Sequence, residues 1–267
     1  MRDVIILVSF GSADDSIREK IFGRLASELA EKFPAFEVRQ AFTSNFMIKK
    51  LAARGISIDT LPQAISKLRA EGFGKIFVLP THLTAGEEFD NKIKICAVAV
   101  EDVEIISPLL SEPLDEKIFA TILECFKPAA DEDLILVGHG SPHRHNPVYE
   151  KLQRLANENV HIGVIEENDT PNFDDVLERL KNSRAKKILL APLLFNGGVH
   201  VTEDIAGEKN SWWTKLSARG FEVRVVRDGL GAFKNFRALY AKKLEVKLNG
   251  RERRQSPRDD SHGEKIF

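Results

Sequence analysis

The chain contains 267 residues, of which 43% are hydrophobic and 30% charged, a balance typical of a globular protein that can bury a core. Its 39 Lys and Arg residues against 40 Asp and Glu residues give a formal net charge of −1, which excludes the broad positive field of a dedicated duplex-DNA-binding protein. The two cysteines, Cys96 and Cys125, form neither a CxxC motif nor a zinc-ligand spacing, so we expect neither a disulfide framework nor a structural zinc site.

The sequence has no segment typical of a membrane or secreted protein. Its longest uninterrupted apolar run, at residues 188–195, is far shorter than the roughly 20 residues that a membrane-spanning helix needs. The first residues lack the basic stretch and cleavage site of a signal peptide and have the pattern of a strand. We therefore expect a cytoplasmic protein with neither a membrane nor a nucleic acid as partner.

Short β-branched runs alternate along the chain with longer segments of helical periodicity. Strands are predicted at residues 4–9, 36–42, 75–80, 103–107, 134–138, 160–165, 187–192 and 222–226, with amphipathic helices between them, for example at 16–32, 61–71, 147–158 and 174–181. Several strands are apolar on both faces, as parallel strands covered by helices on each side must be. The fold class predicted is therefore α/β, with mostly parallel, flavodoxin-like or Rossmann-like sheets.

An internal repeat indicates two similar α/β domains. The segment 7–12 (LVSFGS) matches 136–141 (LVGHGS), and the helix and strand at 61–80 resemble those at 173–192. We predict an N-terminal domain at 1–128, a C-terminal domain at 129–230 that carries the metal site, a helix at 231–248 that packs back on the first domain, and a flexible tail of mixed charge at 249–267. The alternative is chance resemblance between strand–helix–strand units.

Three polar residues follow consecutive strands of the second domain. His139 stands between two glycines after one strand, Glu166 ends the next, and His200 lies in a glycine-containing loop after the third. Ligands of open parallel sheets bind at the carboxyl ends of the strands. Two imidazoles and one carboxylate suit a divalent transition metal, and three protein ligands leave positions open on the ion. The alternatives are an ordinary strand-end histidine and a helix-capping glutamate.

The repeat also points to residues on the first domain. By position in the repeat, Phe10 corresponds to His139 and Glu88 to His200, so one domain offers an aromatic ring and a carboxylate where the other offers two imidazoles. Such asymmetry fits a cleft for a flat, partly apolar ligand with polar edges. The alternative is drift of an unused duplicate site. His82 is a further strand-end candidate. Neither GxGxxG nor GxxxxGK[ST] occurs, so we expect no nucleotide cofactor.

Five motifs in order resemble those of the anaerobic cobaltochelatases that act on sirohydrochlorin, the CbiK type of class II chelatase. They are the segments 42–51 (FTSNFMIKKL), 82–89 (HLTAGEEF), 137–143 (VGHGSPH), 163–166 (GVIE) and 198–204 (GVHVTED), and the resemblance covers about residues 2–248. It implies two similar α/β domains with a tetrapyrrole cleft between them. It also implies insertion of Co²⁺ into sirohydrochlorin, with Fe²⁺ or Ni²⁺ as other substrate metals.

The resemblance implies a role for each matching residue. His139, Glu166 and His200 would bind the metal, His139 would also be the base that accepts pyrrole protons, and Glu88 would face it from the other domain. Phe10, from the repeat, and His82, from its strand-end position, are the candidates for lining the substrate site. Family members often carry Asp immediately before the second histidine, whereas this chain has Val199, a departure that concerns the tuning of His200 by its neighbours and not the ligand itself.

Two rival functions stay open. One is a ferrochelatase that acts on sirohydrochlorin or a porphyrin, and the other is a non-catalytic carrier of metal or tetrapyrrole.

A carboxylate-rich substrate needs local cations on a chain of net charge −1. The candidates are Lys50 and Arg54, which are spaced i, i+4 after the 42–44 motif. The alternative is a solvated helix face. A homo-oligomer is compatible with the sequence.

Overall fold

The computed structural model describes residues 1–98, 100–141 and 144–255, the last five of them as backbone only. Two parallel sheets form the framework. The first has the order β3-β2-β1-β4-β5 and the second β7-β6-β8-β9. The strands are β1 Val4–Ser9, β2 Glu37–Phe42, β3 Asp59–Thr60, β4 Ile76–Pro80, β5 Val103–Ile105, β6 Glu132–Gly138, β7 Val160–Val164, β8 Lys187–Pro192 and β9 Glu222–Val225.

The helices cover both faces of the sheets. They are Asp15–Ile17, Arg24–Lys32, Asn45–Ala52, Leu61–Ala70, Glu87–Phe89, Ile95–Val98, Glu116–Cys125, Val148–Leu155, Phe173–Leu180, Trp212–Ser217 and Lys234–Gln255, with π-helical segments Arg18–Gly23, Asp90–Lys94 and Val201–Ile205 and a 3₁₀ turn Leu230–Ala232. Side-chain caps define several starts: Ser44 accepts a bond from the Met47 N–H, and Asn172 forms a capping box with Asp175.

The two sheets repeat one topology, which confirms the predicted fold class. In the first sheet β1 lies between β2 and β4, with β5 outside β4, and in the second sheet β6 lies between β7 and β8, with β9 outside β8. All residues of β1 are buried, because helices cover both sides of it. The first sheet adds the two-residue strand β3, which is too short to produce a periodic pattern.

One hydrophobic core spans both halves. The rings of Phe22, from the first half, and Phe195, from the second, stack with centroids 5.8 Å apart. Phe195 also meets Tyr240 of the last helix edge to face at 5.4 Å. The Tyr240 hydroxyl donates to the Thr81 carbonyl, directly after β4, at 3.1 Å. These contacts hold the carboxyl end of the first sheet against the second half.

The last helix, Lys234–Gln255, packs against the first half of the chain. Arg237 donates to both carboxylate oxygens of Glu28 at 2.7 and 2.8 Å, and its guanidinium lowers the pKa of that carboxyl. The helix continues past the boundary predicted at residue 248, because the charged residues that follow are good helix formers and need no buried face to extend an existing helix. The predicted tail beyond Gln255 lies outside the described residues. None of the described helices is long and apolar enough to span a membrane.

Candidate metal and tetrapyrrole site

His139, Glu166 and His200 lie together at the carboxyl edge of the second sheet. The His139 and His200 rings are perpendicular, with centroids 4.5 Å apart. His139 Nδ1 lies 3.9 Å from Glu166 Oε1. The exposed fractions of the three side chains are 39%, 29% and 47%, so each is partly covered yet open to solvent on one side. The carboxyl-end argument thus predicted which residues would be neighbours.

Backbone pairing holds His139 beside Glu166. The ladder between β6 and β7 continues beyond the strands, because the Ile165 N–H donates to the Gly138 carbonyl at 2.9 Å and the Glu166 N–H to the His139 carbonyl at 3.1 Å. Gly140 has a φ of +79°, and a Cβ there would lie 3.1 Å from the Glu166 Cβ. Only glycine fits this turn without strain or crowding of the neighbouring carboxylate.

In both histidines Nδ1 lies beside an oxygen acceptor. His139 Nδ1 lies 3.1 Å from the Gly140 carbonyl, and His200 Nδ1 lies 2.9 Å from Asp204 Oδ2. A carbonyl or carboxylate oxygen only accepts, so Nδ1 carries the proton in each ring and the lone pair is on Nε2. Asp204 therefore supplies the carboxylate that supports His200, while the exposed Val199 carries none. The i, i+4 spacing of His200 and Asp204 on one helical turn was the available sequence signal.

These side chains are neighbours, but they do not form a preformed metal site. Across residues 1–98, 100–141 and 144–255, no three His, Cys, Asp or Glu side chains are arranged as a metal site. The donors lie at the right edge of the sheet, but their present rotamers do not converge. His143, which the catalytic motif includes, lies outside the described residues.

The carboxyl edge of the first sheet faces this group. Arg144 donates to the Ala85 carbonyl at 3.3 Å and to Asp90 Oδ2 at 2.8 Å, so the segment after His139 contacts the segment that contains Glu88. The buried Tyr149 makes a second link, because its hydroxyl bonds to Thr84 of the first half as well as to the Gly140 backbone, and burial raises its pKa. These contacts therefore bring the segments at the two carboxyl edges together.

Two aromatic rings at the carboxyl edge of the first sheet are exposed. Phe10 follows β1 and is 45% exposed, and Phe46 follows β2 and is 69% exposed. Phe46 was not predicted, although its place two residues after the capping Ser44 was a signal that could have found it. Glu88 lies in the helix Glu87–Phe89, and in the described part of the chain no hydrogen bond or ion pair joins it to His139, Glu166 or His200.

His82, at the carboxyl end of β4, is a half-buried residue with a neutral imidazole whose two ring nitrogens are both buried. Neither ring nitrogen has a hydrogen-bond partner among the described residues. Burial lowers the pKa of His82 to about 4, because the charged ring cannot be solvated there.

This burial predicts a loss of stability in mild acid. Between pH 6.5 and about 4 the unfolded chain protonates His82 and the folded chain does not, so the free energy of unfolding falls as the pH falls through that window. The expected contribution is about 3 kcal/mol. Urea unfolding at pH 7 and pH 4.5 should show a smaller decline for His82→Leu than for the native chain. Equal declines would contradict the assignment.

The predicted pairing of Lys50 and Arg54 on one helix face is wrong. The helix Asn45–Ala52 ends before Arg54, because Gly55, with a φ of +76°, closes a turn at its C-terminus. The Arg54 guanidinium instead bonds to the Ala13 carbonyl at 2.6 Å and to Asp15 Oδ2 at 2.6 Å. Arg18 and Arg54 together lower the pKa of the Asp15 carboxyl. Arg54 thus holds a loop, and the exposed Lys50 is the candidate of the two that remains for the substrate.

Comparison with known proteins agrees with this architecture. The model of the cobalt chelatase (CbiK) family matches residues 3–249. A sirohydrochlorin cobaltochelatase of Salmonella typhimurium is 27% identical over 93% of this chain and 97% of its own length. The sirohydrochlorin cobaltochelatase CbiKC of Nitratidesulfovibrio vulgaris is 31% identical over 87% of this chain and 86% of its own length.

Solved structures share the fold at much lower sequence identity. SirB from Bacillus subtilis with Fe³⁺ superposes with a TM-score of 0.61 at 13% identity, covering 94% of this chain and 98% of that one. The cobalt complex of the sirohydrochlorin chelatase SirB from Bacillus subtilis subspecies spizizenii gives 0.59, also at 13% identity, covering 94% of this chain and 97% of that one. Because the family model and two relatives span nearly the whole chain, and the duplicated sheet topology is shared with SirB, this chain belongs to the cobalt chelatase (CbiK) family.

Proposed function

We propose that this chain inserts Co²⁺ into sirohydrochlorin. Two relatives matched over most of their length carry the name sirohydrochlorin cobaltochelatase. The observation that carries the proposal is the grouping of His139, Glu166 and His200 on the edge that faces the first half, with ring centroids 4.5 Å apart and the carboxylate 3.9 Å from His139. Imidazole and carboxylate together suit a divalent transition ion.

The metal is held as a substrate and must leave. Nε2 of His139, Nε2 of His200 and the Glu166 carboxylate are the proposed ligands. Convergence on one ion requires these side chains to rotate about their own torsion angles, which their exposed fractions of 39%, 47% and 29% allow. Three protein ligands leave further positions for the nitrogens of the macrocycle. A site that closes only around the ion also releases it more readily than a rigid cage would.

Insertion requires a base. Two pyrrole N–H protons leave the macrocycle as the ion takes the place of both, so the charge of the ring system is conserved. Nε2 of His139 is the proposed acceptor of one proton, because its lone pair becomes available when the ion passes to the ring nitrogens, while Nδ1 stays bonded to the Gly140 carbonyl. Proximity of the ion assists, since a divalent cation polarises the nitrogens that lose their protons. Glu88, across the cleft, is the second carboxylate in a position to assist proton removal.

The first half is proposed to hold the macrocycle. Phe10 and Phe46 offer exposed apolar surface to a flat ring system, where stacking on aromatic side chains is favourable. His82 contributes a neutral ring at this wall, because its pKa of about 4 keeps it uncharged near neutral pH. Val199, which is 51% exposed, adds apolar surface on the opposite edge.

Lys50 is the proposed cation for the substrate's carboxylates. Lys50→Glu should raise KM for sirohydrochlorin several-fold and leave Co²⁺ affinity unchanged, because a positive charge near the carboxylates becomes a negative one. Raising salt should then weaken substrate binding less in the variant than in the native chain. Lys242→Glu, an equal charge change at an exposed position of the last helix, is the matched control. An unchanged KM in Lys50→Glu would place the carboxylates elsewhere.

An anaerobic absorbance assay tests the function. Sirohydrochlorin and Co²⁺ are mixed with catalytic amounts of the chain, and the metallated product is followed by its spectrum against a protein-free control. Multiple turnovers support the proposal. Binding of both substrates without accelerated metallation would identify a carrier, and faster insertion of Fe²⁺ or Ni²⁺ at equal free metal would assign a different physiological metal.

A further inference from the structure

A buried carboxylate lies directly beside the proposed ligands without being one of them. The Asp169 side chain is 0% exposed. Its Oδ2 accepts a hydrogen bond from the Ser141 N–H at 2.9 Å, and its Oδ1 accepts from His145 Nδ1 at 2.7 Å and from the Thr170 N–H at 2.8 Å. A buried carboxylate is costly unless it is fully bonded, and these donors supply that compensation.

Asp169 connects the two segments that carry His139 and Glu166. Its own N–H donates to the Glu166 carbonyl at 3.1 Å, and the Glu166 N–H donates to the His139 carbonyl at 3.1 Å. Ser141, at the far side of the Gly140 turn, is held by the Asp169 carboxylate. These bonds form a closed frame that includes both ligand-bearing residues.

We propose that Asp169 is a positioning residue that holds His139 and Glu166 at the separation that metal insertion requires. This inference rests on the proposed function. The carboxylate contacts neither of the two side chains and acts through their backbone. The hydrogen bonds that the Asp169 carboxylate accepts, here called the clamp, are stiff because the carboxylate is shielded from water. Charge-assisted hydrogen bonds are strongest in such surroundings. His145 is a supporting member, since its Nδ1 donates into the clamp while the ring is 46% exposed.

Asp169→Asn breaks the clamp with the smallest change of shape. An amide offers one accepting oxygen, so its NH₂ group must face either the Ser141 N–H or the two donors to Oδ1, which are His145 Nδ1 and the Thr170 N–H. We expect kcat for Co²⁺ insertion to fall and the Kd for Co²⁺ to rise, each by about 10–100-fold, as loss of a residue that supports a metal ligand typically does. KM for sirohydrochlorin should not change, because the macrocycle is held by the other half.

Asp133→Asn is the matched control. Asp133 is also a buried carboxylate of the second half, with a side chain 4% exposed, and its Oδ2 lies 3.0 Å from His161 Nε2. It lies near the start of β6, at the opposite end of the strand from His139. Both variants should unfold at lower temperature than the native chain, but Asp133→Asn should keep its kcat and its Co²⁺ affinity. Native values in Asp169→Asn, or equal losses in both variants, would overturn the proposal.

Substitutions at His145 test the clamp without removing a buried group. His145→Ala deletes one donor to Asp169 and should weaken Co²⁺ binding less than Asp169→Asn does, whereas His145→Asn keeps an N–H near the same position and should behave like the native chain. Should Asp169→Asn not fold, native Co²⁺ affinity in His145→Ala overturns the proposal. Equal losses in both His145 variants also overturn it, because they would make His145 itself a metal ligand. Calorimetry with Co²⁺ alone needs no turnover, so the result stands apart from the insertion assay.

Discussion

His139→Ala should abolish insertion of Co²⁺ into sirohydrochlorin while the chain stays folded. The change removes a proposed metal ligand and the proposed base together, and loss of a general base alone costs about 10²–10⁴-fold in rate. The effect on stability should be small, because the ring is 39% exposed and its contacts lie at the edge of the sheet, outside the core. Single-turnover absorbance measurements at saturating Co²⁺ check the rate.

The control separates chemistry from folding. His145→Asn alters another partly exposed histidine of the same segment and should retain the native rate. Circular dichroism and the thermal midpoint of His139→Ala should match those of the native chain. Turnover near the native rate in His139→Ala would remove this residue from the mechanism and leave His200 as the candidate base.

His200→Ala and Glu166→Gln should each weaken Co²⁺ binding by more than the roughly 10–100-fold that loss of a supporting partner costs, because each removes a proposed ligand. The double variant should lose less than the product of the two single effects, since both residues act on one ion. Calorimetric titration with Co²⁺ measures all three affinities.

The neighbour of Glu166 provides the matched control. Glu167→Gln makes the same charge change one position on, at a side chain that is 85% exposed and pairs with Lys215. Its Co²⁺ affinity should equal that of the native chain. Two results would contradict the proposal: fully additive losses in the double variant, or a loss in Glu167→Gln as large as that in Glu166→Gln. Either would mean that these residues change the electrostatic field around the site rather than bind one ion.

Strand–helix alternation and the repeat were sufficient to predict two similar parallel sheets, because strands covered on both faces must be apolar throughout. The element missed was β3, Asp59–Thr60, since two residues cannot show a period. The apolar pattern predicted that the last helix ends at residue 248, but the helix continues to Gln255. The reason is that helix propagation depends on local propensity as well as on an apolar face.

The grouping of His139, Glu166 and His200 could also be predicted from sequence, because carboxyl ends of parallel strands meet at one edge whatever the side chains are. Their roles in binding and proton transfer stay predictions. The group that supports His200 had a sequence signal, the i, i+4 spacing of Asp204, whereas Asp169 had none. Asp169 acquires its partners through backbone turns and rotamers that no spacing specifies.

Arg54 also shows the difference between what the sequence predicts and what the tertiary structure decides. Its i, i+4 relation to Lys50 predicted one shared helix face, but the turn at Gly55 ended the helix at Ala52. Folding then brought the guanidinium to Asp15, a residue far away along the chain. Short-range order in this protein thus followed from periodicity and capping, which act between residues close in sequence. The partner of each charged or polar side chain was decided by folding, because hydrogen bonds are made with whatever the packed chain brings within about 3 Å.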